Sequence, residues 1–158
     1  MSVHQLSATL RRAWAADLTP ARLYALLRLR VEIFVVEQNC PYPELDGQDL
    51  FETTRHFWLQ SEAVEGRAAD EPIACLRLLE DRSGSFRIGR VCTVREARRR
   101  GLSGQLMAAA LAEVGDAPCV LEAQVQAVGF YETFGFKPDG DEYLEDDIPH
   151  ITMRRAAR

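Results

Sequence analysis

Arg98-Arg99-Arg100-Gly101-Leu102-Ser103-Gly104 sets three guanidinium groups ahead of two glycines, and an apolar stretch follows. A phosphate group needs cationic donors and unpaired backbone amides that it can approach closely. Glycine permits the sharp turn. The first amides of a helix have no internal partner, and the helix dipole is positive at that end. Arginine adds two-pronged donors. The spacing fits neither the G-x-x-x-x-G-K-S/T phosphate loop nor the dinucleotide fingerprint G-x-G-x-x-G. The G-x-x-G of RNA-binding KH domains joins two helices, whereas this one follows a strand pattern. Alone, the stretch serves equally as an anion cradle or as a charged turn capping a core helix. Of the 19 basic residues only Lys137 is lysine, so a run of arginine carries less information than in a mixed chain.

Other chemistries find little support. Cys40, Cys75, Cys92 and Cys119 form no C-x-x-C pair, and three lie in apolar runs. Buried free thiols are expected rather than disulfides. His4, His56 and His150 are scattered, and without clustered ligands no metal is expected. A net charge of -5 argues against a protein built to grip nucleic acid. No apolar run approaches the ~20 residues that cross a bilayer, so no membrane partner is expected. The start, "MSVHQLSATLRRAW", lacks the features of a signal peptide. The expectation is a soluble cytoplasmic protein, with residues 1–158 as one domain around one core.

The elements that would hold the glycine-arginine turn follow from periodicity. Residues 9–17 read as a first strand. Thr19-Pro20 starts a helix whose apolar positions Leu23, Leu26, Leu27, Val31, Phe34 and Val35 keep helical spacing to about Gln38. Residues 56–60, 72–80 and 86–94 read as strands, with "DRSGS" (81–85) as a hairpin turn and 61–72 as a loop. Leu102, Leu106, Met107, Ala110, Leu111 and Val114 mark a second helix. A strand at 119–125, a short helix at 127–135 closed by Gly135, and a last strand at 150–155 complete the chain. The order predicts an α/β domain with a mixed sheet, its third to fifth strands flanking one crossover helix.

With these neighbours the turn resembles the phosphate loop of the GNAT superfamily of acyl-CoA-dependent N-acyltransferases. That loop reads Gln/Arg-x-x-Gly-x-Gly/Ala between a fourth strand and a third helix. Arg98 to Ser103 matches it, with Ser103 where glycine or alanine is usual, and Val94 fits the valine common at the preceding strand end. Gln124 to Phe136 is similar to a second signature, Asn-x-x-Ala-x-x-Phe-Tyr-x-x-x-Gly-Phe, with Gln124 in place of asparagine. "FVVEQNCPYPELDG" (34–47) and "YLEDDIPHITM" (143–153) resemble the ElaA-like subgroup. The resemblance implies a GNAT fold: a mixed, mostly antiparallel sheet of six to seven strands with flanking helices, splayed between strands 4 and 5. It also implies acetyl-CoA or another acyl-CoA as co-substrate. It names no acceptor beyond an amine and leaves a homodimer open.

What the resemblance implies for single residues can be set against the chemistry of acyl transfer. The amides from Arg99 through Gly104 (Arg99, Arg100, Gly101, Leu102, Ser103, Gly104), with Arg98 beside them, would hold the CoA pyrophosphate. The pantetheine arm would lie between strands four and five as an added strand, bonded to the backbone of Cys92 and Val94, with Gln124 reaching it from the other side. The amide near Val94 would serve the oxyanion. Tyr131 takes the place of the general acid; a free phenol has a pKa of about 10 and keeps its proton at neutral pH. A base must take a proton from the amine. Glu122 is a candidate because it shares a strand face with Gln124, and burial there should raise its pKa. Glu37, His150 or a water chain are rivals. Two acidic loops, Glu44, Asp46 and Asp49, then Asp139, Asp141, Glu142, Glu145, Asp146 and Asp147, form either a negative mouth for a cationic amine or a solvated surface. Two other functions fit less well: a non-catalytic CoA-binding sensor, and a nucleic-acid module using the arginine run.

Overall fold

The computed structural model of the protein describes residues 7–61, 64 and 66–158. His4 and part of the 61–72 loop lie outside the described residues. Strand β1 (Ala8–Trp14) pairs antiparallel with β2 (Arg55–Ser61) along its whole length. Between them runs helix α1 (Pro20–Arg30). The Thr19 hydroxyl accepts from the Arg22 amide at 3.1 Å and Pro20 opens the first turn, so the sequence signal for this start holds. The helix reaches Glu37, but Val31–Glu37 is wound as a π-helix. Periodicity cannot reveal this change of winding, because the five apolar positions Val31, Ile33, Phe34, Val35 and Val36 satisfy either turn.

β2, β3 (Pro72–Glu80) and β4 (Phe86–Thr93) form an antiparallel meander. The Asp81 carboxylate closes its hairpin by accepting from the amides of Ser83 and Ser85. Seven consecutive residues of β3, Pro72 to Leu78, are buried, which requires cover on both sheet faces. Helices α1 and α2 (Leu102–Val114) both contact β3 and provide it. α2 buries Leu102, Leu106, Met107, Ala110, Leu111 and Val114, the stripe its spacing predicts. All four cysteines are buried free thiols.

α2 carries the chain from β4 to β5 (Cys119–Gln124), which lies parallel to β4. Only Phe86 with Cys119 and Arg87 with Val120 pair there, so the two strands part beyond their first residues. This is the splay that the family resemblance implies. β5 then pairs antiparallel with β8 (Ile148–Arg155) from Cys119–Arg155 to Gln124–His150. Helix α3 (Val128–Glu132) is shorter than the predicted 127–135. The sheet holds eight strands because two short ones, β6 (Lys137–Pro138) and β7 (Tyr143–Glu145), also pair with β8. Two or three residues with no alternating pattern leave no trace in periodicity.

Candidate active site

Where β4 and β5 part, a cleft of about 710 Å³ opens. It runs from the π-helical end of α1 past β4, the glycine-arginine turn, β5 and α3 to β7 and β8. After β4 the chain makes one short turn, Arg95–Ala97, and Arg99 and Gly101 both adopt left-handed backbone, with φ of 64° and 74°. Gly101 caps α2; a Cβ there would touch nothing, so backbone conformation alone demands glycine. Gly104 differs. Its φ is ordinary and an added Cβ would sit 3.8 Å from the Phe134 ring, a normal contact. Any further need for glycine at 104 has to come from something bound in the cleft. Leu102, Ser103 and Gly104 line the cleft and supply the unpaired amides of the first helical turn.

The three arginines separate. Arg99 lines the cleft and Arg100 does not; among the described residues neither makes an ion pair. Arg98 is occupied by the protein. Its Nε donates to the Thr93 carbonyl at 2.9 Å and its Nη2 meets Glu37 Oε2 at 2.5 Å. Ser103, the residue out of family pattern, hydrogen-bonds Thr93 through the two hydroxyls at 2.9 Å. It ties the loop to the end of β4.

The backbone of β4 corrects the sequence reading by one residue. The Val94 amide donates to the Ile73 carbonyl at 2.9 Å, and the Val94 carbonyl accepts from Ala97. Val94 is fully buried, and neither backbone group is left for a ligand. Cys92 stands opposite Cys75 in the same ladder, and alternation turns its amide and carbonyl towards β3 as well. The same alternation turns the Thr93 amide to the cleft. Cys92 does line the cleft, with its thiol 3.6 Å from that of Cys75. A bulge between the Cys75 and Arg77 pairings, where Arg90 takes a φ of 56°, shifts the parity, and no residue pattern announces it.

Tyr131 lies in the cleft wall, 9% exposed, with its ring edge-on to Phe130 and Phe136. Burial, with the Cys92 thiol adding, pushes its phenol up to about 12. Among the described residues its hydroxyl has no hydrogen-bond partner. Glu122 and Gln124 both line the cleft from one face of β5. Burial raises the Glu122 pKa, but hydrogen bonds from Thr152 (2.6 Å), Tyr143 (2.5 Å) and Arg87 (3.0 Å) outweigh it, and the net shift is downward. The expected upward shift is therefore corrected: three donors hold the carboxylate ionised. Gln124 donates to Gln38 at 3.3 Å and accepts from Gln126 at 2.6 Å. Glu37 is shared between Arg98 and, at 3.5 Å, Arg95. His150 lines the cleft with Nδ1 2.7 Å from the Ile148 carbonyl and its ring stacked on Tyr143. Among the described residues no group of three or more His, Cys, Asp or Glu could hold a metal.

Residues 52–157 match the acetyltransferase (GNAT) domain family. The chain belongs to the GNAT family. It is 53% identical to a UPF0039 protein of Mycobacterium tuberculosis over 154 residues, 95% of this chain and 94% of that one. It is homologous to protein ElaA of Escherichia coli, at 40% identity over 89% of this chain and 91% of ElaA. The crystal structure of Escherichia coli ElaA has a TM-score of 0.85 to this fold at 36% identity, covering 94% and 99% of the two chains. An acyl-CoA N-acyltransferase from Pseudomonas aeruginosa has a TM-score of 0.84 at 44% identity, covering 95% and 100%.

In this GNAT chain the two segments similar to the ElaA-like subgroup meet beside the cleft, where the Cys40 thiol donates to the Asp146 carbonyl at 3.4 Å. The first segment is pinned by ion pairs. Arg30 on α1, only 1% exposed, holds Glu44 at 2.6 Å and Asp49 at 2.5 Å. Arg77 on β3 holds Asp46 at 2.9 Å and Asp49 at 3.1 Å, and Arg90 on the bulge holds Glu44 at 2.9 Å and Asp46 at 3.3 Å. Three cations meet three anions. Burial raises the Asp46 carboxyl, but Arg77, the Gln48 amide and Arg90 bring it down to about 2. Glu44, Asp46 and Asp49 are thus a neutralised clamp, not half of a negative mouth. In the second loop Asp139 pairs with Arg154, while Glu145 and Asp146 line the cleft. Arg30, Arg77, Arg90 and Thr93 were missed from sequence. The available signal was Arg77 itself, a charge inside the apolar strand "PIACLRLLE".

Proposed function

We propose that this chain is an acyl-CoA-dependent N-acyltransferase, with acetyl-CoA as the first candidate donor and an amine as acceptor, reacting in a ternary complex. One observation carries the reading: at the splay, an outward-facing Thr93 amide and the unpartnered Tyr131 hydroxyl line one cleft with the α2 amides. The CoA pyrophosphate would rest on the amides of Leu102, Ser103 and Gly104, with the cleft-lining Arg99, which makes no ion pair among the described residues, beside them. The amine nitrogen attacks the thioester carbon, and the Thr93 amide receives the developing oxyanion. As the C–S bond breaks, the sulfur takes its electrons and the Tyr131 proton. The proton lost by the amine leaves through water, with the ionised Glu122 carboxylate as its first anionic stop, and the phenol is recharged from solvent. Glu145 and Asp146 give the acceptor end negative charge, which favours a cationic amine.

The reading takes residues 1–158 as one acyltransferase domain at work in the cytoplasm, where four free thiols persist. No helix among the described residues is long and apolar enough to cross a membrane. Thermal shift with acetyl-CoA, NAD, ATP and RNA tests it. Acetyl-CoA alone should raise Tm; at a hundredfold excess over Kd the gain is about 2.7 kcal/mol. No shift with any CoA ester refutes the reading. Thiol release with a panel of amines then separates an enzyme from a CoA-binding sensor.

A further inference from the structure

Two consecutive residues at the π-helical end of α1 reach opposite lips of the cleft. Glu37 extends to Arg98, in the turn that follows β4. Gln38 accepts from Gln124, the last residue of β5. The sheet itself pairs these strands only at their other ends, where Arg87 and Glu122 add an ion pair at 3.0 Å. One end of the splay is closed by the ladder, and the wide end is spanned by this helical turn.

We infer that Glu37 and Gln38 form a strap that fixes the width and register of the acyl-CoA cleft, and that they are positioning residues. This rests on the function proposed above. The strap acts on the reacting end through Arg98, whose Nε grips the Thr93 carbonyl. Ser103 grips the Thr93 hydroxyl from the phosphate loop. Thr93 is thereby held from two sides while its amide faces the cleft. The strap, the pyrophosphate loop and the oxyanion donor form one connected unit. A pantetheine arm lying between β4 and β5 passes beneath it. A π turn suits this task, because its wider winding directs neighbouring side chains to different places from those of an α turn. Both Glu37 oxygens are given to arginines, Oε1 to Arg95 and Oε2 to Arg98, which is the arrangement of an anchor rather than of a base.

The test uses the full chain, acetyl-CoA, and any amine that supports thiol release. Glu37→Gln and Gln38→Ala should each raise the acetyl-CoA KM about fivefold, the scale of one partly exposed polar link, with a smaller change in kcat. The pH–rate profile should stay in place. Glu37→Gln combined with Arg98→Gln should cost no more than Arg98→Gln alone, because Glu37 acts on the cleft through Arg98, which also holds Thr93. Wild-type acetyl-CoA KM in both single variants, or additive losses in the double variant, overturns the strap while leaving the proposed function intact. Loss of a pH–rate limb in Glu37→Gln makes Glu37 a base and also overturns it. Failure of the wild-type chain to bind or turn over any CoA ester overturns the proposed function and the strap with it.

Discussion

Arg77→Met removes the centre of the clamp that pins the 40–49 loop. The Arg77 side chain is 5% exposed and donates to Asp46 through two nitrogens, each at 2.9 Å, and to Asp49 at 3.1 Å. Methionine fills similar space and leaves two carboxylates short of a partner. Breaking a fully buried pair costs about 3–5 kcal/mol. Here Arg30 still holds Asp49, and solvent reaches Asp46, so about 2–3 kcal/mol is expected. At ~2–4 °C per kcal/mol for a chain of this size, Tm should fall by about 5–10 °C at pH 7. The pH dependence gives a sharper check. The Asp46 carboxyl stands at about 2 in the folded chain and at about 3.9 unfolded. A depressed carboxyl contributes stability that is complete above the unfolded pKa and is lost as pH falls through the folded one. Without Arg77 that contribution shrinks. The Tm gap between wild type and variant should be widest above pH 5 and should narrow towards pH 3. Thermal melts followed by circular dichroism at pH 7, 5, 4 and 3 read it directly. A drop below 2 °C at pH 7, or a gap constant down to pH 3, refutes the clamp.

Tyr131→Phe should lower kcat by about a hundredfold or more with little change in acyl-CoA KM, and Tm should hold because no hydrogen bond is lost; undiminished turnover removes Tyr131 from its role. Gly101→Ala forces a Cβ into left-handed backbone at a cost of about 1–2 kcal/mol, readable as a lower Tm. Gly104→Ala should leave Tm equal or higher, since its Cβ meets only an ordinary contact, yet weaken acetyl-CoA binding measured by calorimetry; unchanged affinity would mean that no ligand approaches that face.

Much of this architecture was legible in the chain. Thr19-Pro20 marked a helix start, Gly101 marked the sharp turn before the second helix, and Tyr131 stood in a family signature that the fold brings to the cleft wall. What could not be read was parity and pairing. The amide that faces the cleft belongs to Thr93 rather than Val94, because the bulge at Arg90 changes the count along β4 and bulges carry no residue signature. The acidic loop looked like a free charged rim because its partners, Arg30 on the first helix and Arg77 and Arg90 on strands, are distant in sequence. The arginine run misled in a related way. In a chain with one lysine, Arg98 as an internal brace and Arg99 as a free cation look alike. Glu122 shows the limit of reasoning from burial: being on a central strand raised it, but three donors that only the fold supplies brought it down.

The high pKa of Tyr131 and the low one of Glu122 together bear on which acceptors would be used. A phenol held at about 12 stays loaded at every pH a cell reaches, and a carboxylate held low is a weak proton acceptor. In the proposed mechanism neither group gives the site a titration near neutrality, and the acceptor's own ionisation sets how much free base is on hand. At pH 7 about a tenth of an α-amine with a pKa near 8 is neutral, against about one part in 2,500 for a lysine ε-amine near 10.4. In free-base population alone, weakly basic amines lead lysine-like ones by about two orders of magnitude, and the greater nucleophilicity of the more basic amine works against that lead.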